Sequence, residues 1–275
     1  MTEAGGILAW LAPRAMPGIE VVSSDGYRRS LPGPRVATVS VAGPAATTAD
    51  PDLALVFDLG GGAARIAADS RLSWAAARHD VPALTAAIVE RPAIAQPGSS
   101  DAHEMLIRAI VGQQITIAAA TQQLTLLAGL GDALPAALAG DGVERCFPTM
   151  AQVADGADVL RGPAAKTAAV RRAAQAVASG AIALPSSAAA ASLGDLERLR
   201  AQLLELKGIG PWTVGYLSLR LGDADTLLLG DVAVQKGARH LGITDLATLA
   251  ADCAGHRSAL MLRCWAAAKQ PAPAA

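Results

Sequence analysis

Two short stretches gather residues that could do chemistry. In "LKGIGPW", Leu206 to Trp212, two glycines flank one isoleucine, then a proline and a tryptophan follow. A helix that stops at Gly208 and restarts on Pro211 leaves the N–H groups of Gly210 and the next turn without intrahelical partners. Those donors, with the positive end of the helix dipole, make a small anion site. Glycine at 208 and 210 removes side chains that would hold a phosphodiester away. The pattern fits equally a helical hairpin whose glycines only permit the bend. The second stretch, "LGDADTLLLGDVAVQK", sets Asp231 after an apolar run, where a helix should open. An N-cap aspartate accepts backbone N–H bonds at the positive helix end, and both effects favour the carboxylate. Such a group could stabilise developing positive charge, or orient and deprotonate water. It could also be a cap and nothing more.

The elements that must position these residues divide in two. Over residues 1–85, "GIEVVSS", "PRVATVSVAG" and "DLALVFDLG" read as strands of a small sheet, being rich in β-branched residues and bounded by turn formers. "AWLAPRAM" and "AARIAADSRLSWAAARHD" read as helices, giving an α+β N-terminal domain. Residues 86–275 read as a helical domain. Asp101 followed by Glu104 has capping-box spacing and opens "DAHEMLIRAIVGQQITIAAATQQLTLLAGLG", which divides near Gly112. A further helix runs from Pro163 to Gly180. Leu196, Leu199, Leu203 and Leu206 then form one stripe that stops at Gly208. "PWTVGYLSLRLG", "DVAVQKGARHLG" and "HRSALMLRCWAAAK" complete the set, and the run Ala188 to Ala191 reads as linker or helix filler.

Composition narrows the classes. The 275 residues are 52% hydrophobic but only 3% aromatic, with mean hydropathy +0.35, which excludes general disorder. No apolar run approaches the roughly 20 residues needed to span a bilayer. "MTEAGGILAWLAPRA" lacks a basic region before an apolar stretch, so no signal peptide is expected. Cys146, Cys253 and Cys264 form neither a disulfide framework nor a metal set, which fits reduced thiols in cytoplasm. The net charge of −1 argues against a strongly basic nucleic-acid binder. Residues 161–240 nevertheless hold ten basic against six acidic side chains, a modest excess that permits a phosphate-facing patch.

The order of the GIG hairpin, "PWT", "LRLGD" and an aspartate opening a helix resembles the helix-hairpin-helix (HhH-GPD) DNA glycosylase superfamily, in particular the DNA-3-methyladenine glycosylase II, or AlkA, type. The blocks "LAPRAMPGIEVVSSDGYRRSL", "LIRAIVGQQITIAAA", "LKGIGPWTVGYLSLRLGDADTLLLGD" and "HRSALMLRCW" carry it and span almost the whole chain. The resemblance implies an α+β, mainly helical fold, with two helical subdomains around a cleft and a small antiparallel sheet in front. It implies Asp231 as the catalytic carboxylate, and Gly208, Gly210 and Thr213 as main-chain holders of a DNA phosphate. Trp212, Tyr216, Trp265, Trp10 and Gln113 would belong to the pocket for an extruded base. Gln114 would fill the gap left in the duplex. The carbonyls of Leu204, Leu206 and Ile209 would hold a sodium or potassium ion.

Departures from the family pattern carry information. Bifunctional members have a Schiff-base lysine two residues after the second glycine. Trp212 stands there, which implies base release without strand cleavage. Three scattered cysteines imply no iron–sulfur cluster. Ala233 replaces a tyrosine that relatives often carry near the aspartate, and Gln114 replaces a leucine. The expectation is a monomeric, cytoplasmic, monofunctional glycosylase of base excision repair acting on alkylated purines in double-stranded DNA, with no membrane association. Three alternatives stay open: a non-catalytic DNA-binding module, a glycosylase–lyase, and a glycosylase of this fold for deaminated or oxidised bases.

Overall fold

The computed structural model describes residues 3–43, 45–185 and 193–269; the run Ala188 to Ala191 lies outside them. The described residues are mostly helical with one small antiparallel sheet, and they form two compact units. One comprises Met1–Phe57 with Pro97–Leu221; the other comprises Asp58–Gln96 with Gly222–Ala275.

The first unit opens with α1 (Glu3–Leu11) and a 3-10 turn (Ala12–Arg14), followed by β1 (Glu20–Val22), β2 (Gly26–Leu31), β3 (Arg35–Ala42) and β4 (Ala45–Thr47). The strands pair as an antiparallel meander in chain order, with Tyr27 opposite Val39 and Val22. The segment read as a third strand, "DLALVFDLG", is instead helix α2 (Pro51–Val56). Its β-branched look is overridden by a strong helix start: Pro51 takes the first position, and the Asp50 side chain accepts the N–H groups of Asp52 and Leu53 at 3.0 and 3.1 Å. Sequence reading passed over the short β4 and also β2, "GYRRSL". Two arginines break its apolar pattern, yet Arg29 is buried.

Arg29 can be buried because a network neutralises it. Its guanidinium pairs with Glu104 and lies 3.7 Å from Glu20, while Arg108 bonds both Glu104 (2.7 Å) and Glu20, and Tyr27 donates to Glu20. Burial alone would raise the Glu20 carboxyl, but Arg108 and Arg29 outweigh it and hold it at about 2. Glu104 is thus a network member rather than the return half of a capping box. The Asp101 side chain takes the His103 N–H at 2.9 Å instead.

Across the two units, α3 (Gly62–Arg78) and α4 (Pro82–Glu90) come next, then α5 (Ala102–Val111), α6 (Ile117–Ala128), α7 (Met150–Gly156), α8 (Ala164–Ala178), α9 (Leu193–Leu204) and α10 (Pro211–Arg220). α5 is the centre of the first unit. Met105, Leu106, Ile107, Ala109, Ile110 and Val111 are all buried, so most of this helix lies in the core, with His103 and Arg108 left partly exposed. α8 and α10 pack against it.

The second unit is built from α3 and α4 with α11 (Val232–His240), α12 (Leu246–Asp252) and α13 (Arg257–Ala267). α11 and α13 approach so closely at Gly237 that a Cβ there would lie 1.7 Å from the Cys264 carbonyl oxygen. Buried Arg263 ties α13 to the end of α4 through the Ala87 and Arg91 carbonyls (2.8 and 2.6 Å) and to Asp69 on α3 (2.6 Å). Burial pushes the Cys253 thiol up to about 11 and the Cys264 thiol to about 12, which leaves both poor nucleophiles. Among the described residues, no helix is long and apolar enough to cross a membrane.

Candidate functional site

In the first unit, α9 ends at Leu204 and the chain turns tightly: Leu206 N–H bonds to Leu203 O (3.1 Å), and Ile209 N–H to Leu206 O (3.0 Å). The two glycines of the turn answer to different demands. Gly208 has φ +96°, and a Cβ there would press on the Ala169 side chain of α8 at 2.8 Å. Internal geometry alone therefore requires it. Gly210 has φ −115° and ψ 178°, an extended conformation open to any residue, and a Cβ there would meet nothing within 4 Å. Nothing inside the molecule demands glycine at 210.

Gly210 is also the N-cap of α10, and a glycine provides no side chain to close that helix end. The first helical bond is made by Val214 N–H to Gly210 O at 3.1 Å. The positive end of a ten-residue helix thus opens on an unobstructed position. Thr213 is buried, and its hydroxyl accepts from Gln113 Nε2 at 2.6 Å, so only its main chain is left for the role sequence reading gave it. Gln113 donates a second bond to Gly208 O at 3.0 Å. The structure places Gln113 as a brace for the hairpin. Gln114 beside it is exposed, at φ +58°, in a loop held by Lys166 Nζ on the Val111 and Gln113 carbonyls (3.1 and 2.6 Å). Of the carbonyls assigned to a cation, Leu206 O already accepts one N–H, leaving its second lone pair. Neutral oxygens of this kind, with those of Leu204 and Ile209, are a hard donor set compatible with sodium or potassium.

The face of α10 continues into an aromatic array. Trp212 and Tyr216, one helical turn apart, stack with ring centroids 5.3 Å apart and planes within 8°. Arg220, a turn further, reaches the Tyr216 hydroxyl (3.4 Å) and places its guanidinium 4.3 Å from the Trp10 ring. Arg14 lies 3.9 Å from the same ring and bonds the Trp10 carbonyl. Burial would raise the Tyr216 phenol, but Arg220 and Arg14 together hold it below the usual tyrosine value. Sequence reading brought Trp10, Trp212 and Tyr216 to one site but missed both arginines. The i, i+4 spacing of Tyr216 and Arg220 was the available signal.

In the second unit, Asp231 caps α11 as read: its Oδ1 accepts Val234 N–H at 2.9 Å. The same oxygen accepts the Trp265 indole N–H from α13 at 3.1 Å. Two donors fix the carboxylate in place. The flanking apolar side chains Leu229 and Val232 are 46% and 82% exposed, so the residues around Asp231 present a surface for contact rather than core. Trp265 is half-buried and serves as a clamp for Asp231. Among the described residues, no three His, Cys, Asp or Glu side chains converge to hold a metal ion.

No protein-family model matches the chain. It is 30% identical over 241 residues to an Escherichia coli protein named DNA-3-methyladenine glycosylase 2, covering 82% of this chain and 79% of that one. It is also 30% identical over 249 residues to a Mycobacterium tuberculosis protein named "Probable bifunctional transcriptional activator/DNA repair enzyme AlkA", covering 86% of this chain but 48% of the relative. The chain thus spans about half the length of that relative. Among solved structures, a 3-methyladenine DNA-glycosylase from Archaeoglobus fulgidus superposes with TM-score 0.69 over 96% of this chain and 94% of that one, at 16% identity. An 8-oxoguanine glycosylase/lyase from Clostridium acetobutylicum, in complex with double-stranded DNA, superposes with TM-score 0.66 over 90% and 86%, at 14% identity. At such low identity these two speak for the fold.

Proposed function

The chain belongs to the AlkA-type helix-hairpin-helix DNA glycosylases, and from that membership we propose that it is a monofunctional glycosylase that releases alkylated purines from double-stranded DNA. The single observation that carries this is the Asp231 carboxylate, held at a helix start by two N–H donors and set among exposed apolar side chains. A base methylated at a purine ring nitrogen is cationic and already a good leaving group. What the reaction needs is extrusion of the nucleotide, a π surface for the electron-poor ring, and a carboxylate for the oxocarbenium-like sugar. Trp212, stacked on Tyr216, offers the π surface; each cation–π contact is worth roughly 0.5–2 kcal/mol. Asp231 stabilises the developing sugar cation and orients the attacking water.

Trp212 has no amine to attack the sugar, so the product is an abasic site in an uncut strand. The N-terminus of α10, reached past Gly210, receives a backbone phosphate. The carbonyls of Leu204, Leu206 and Ile209 would hold a sodium or potassium ion, which would add positive charge near that phosphate. The protein acts as a monomer. Release of methylated bases from alkylated duplex DNA by wild type and D231N tests the catalytic reading. A D231N variant with wild-type rates would leave a DNA-binding module without this chemistry.

One observation favours a second reading, the same chemistry on a neutral deaminated or oxidised base. Two guanidinium groups flank Trp10, and one of them touches Tyr216. Like charge beside the pocket penalises a cationic base and spares a neutral one. A panel of duplexes carrying single lesions separates the two readings by relative kcat/KM.

A further inference from the structure

The hairpin has an anion-binding geometry but little obvious charge. Most cations near it are already engaged. Lys166 is turned onto two carbonyls at the end of α5, Arg200 donates to Ser218 Oγ (2.9 Å), and Arg171 pairs with Asp158 (2.7 Å). Arg172 on α8 differs. Its Nε and Nη2 donate to the Lys207 carbonyl at 3.2 and 2.7 Å, and Nη2 lies 3.6 Å from where a Cβ on Gly208 would be. Among the described residues no carboxylate lies within ion-pair distance of it. A guanidinium carries five N–H donors in a planar fork. Two are spent on the Lys207 carbonyl, which fixes the plane beside the exposed Gly208, and three are left over.

We propose that Arg172 is a second phosphate-binding group of the hairpin, a side-chain fork from α8 that takes a DNA backbone phosphate alongside the main-chain donors of α10. This rests on the reading of the chain as a DNA glycosylase. A fork already immobilised by a carbonyl loses little rotamer freedom on binding, and bidentate guanidinium–phosphate contacts are both strong and oriented. Lys207 adds a point charge, and exposed Glu205 opposes it, so Arg172 decides the sign of the charge at the turn. The guanidinium also explains why a chain of net charge −1 can present a positive DNA-facing turn.

The test is the salt dependence of binding by the full chain to a short duplex containing one tetrahydrofuran abasic site. In R172Q the amide can still donate to the Lys207 carbonyl, but the charge is gone. The slope of log affinity against log salt should fall by about 0.9, with affinity lower and Tm unchanged. R172K should keep the slope while losing part of the affinity. If wild type binds the duplex and R172Q keeps its full slope, Arg172 merely braces the hairpin and the inference is wrong. The same holds if R172Q and R172K both lose Tm and affinity equally. If wild type itself does not bind the duplex, the glycosylase reading falls and this one with it.

Discussion

Two helix starts, those of α10 and α11, solve the same physical problem in opposite ways. Each ends a turn with a row of N–H groups and a positive dipole. α10 begins on Gly210, which has no side chain to offer, so its positive end stays available to an anion from outside. α11 begins on Asp231, whose own carboxylate occupies that end, so the start of α11 presents negative charge. A phosphate suits the first start, and a sugar approaching an oxocarbenium ion suits the second. A single letter at the N-cap sets which charge each start attracts.

Experiments can break this contrast at several points. The largest effect should come from D231N, whose side-chain oxygen can still accept from Val234 and Trp265. Base release should fall by about 100-fold or more, while the thermal midpoint stays put. Next is G208A, which forces a side chain into φ +96° and against Ala169. Chemical denaturation should show a loss of about 2 kcal/mol, whereas G210A should change stability by less than about 0.5 kcal/mol. Equal losses would mean that the two glycines do not play separate roles. W265F removes one donor from Asp231, and single-turnover rates should drop about tenfold, as expected for one hydrogen bond to a charged group. The smallest effect and the sharpest test is G210D, which would give α10 the kind of cap α11 has. Stability should rise by a few tenths of a kcal/mol, yet duplex affinity should weaken about fivefold.

The two starts also differ in how legible they were. The cap at Asp231 could be read from one letter after an apolar run, and the hairpin from "GIGP". The clamp on Asp231 could not: Trp265 lies 34 residues further on, and only the packing of α11 on α13 brings the indole to it. The roles of the two glycines were likewise hidden, because Ala169 constrains Gly208 from another helix. In the fold, the longer helices were legible, but two short ones with clear caps were not: α7, closed by the Thr149–Gln152 capping box, and α12, capped by Asp245. "DLALVFDLG" misled because the helix start at Asp50–Pro51 outweighs its apolar, strand-like composition. Strand β2 escaped notice since the partners that make its buried arginine tolerable, Glu104 and Arg108, belong to a helix some 75 residues away. Propensity is local and neutralisation of charge is not.

The interleaving of the two units has a consequence for synthesis. Of the second unit, a ribosome delivers α3 and α4 first, and then the 125 residues from 97 to 221 of the first unit before any of α11, α12 or α13 exists. During that interval the faces of α3 and α4 that will receive α13 have no cover, and Asp69 waits for Arg263. The first unit can complete itself while its neighbour is half made. On the proposed reading, the order of translation gives the nascent chain the hairpin that would meet a phosphate before it has the carboxylate that would act on a sugar.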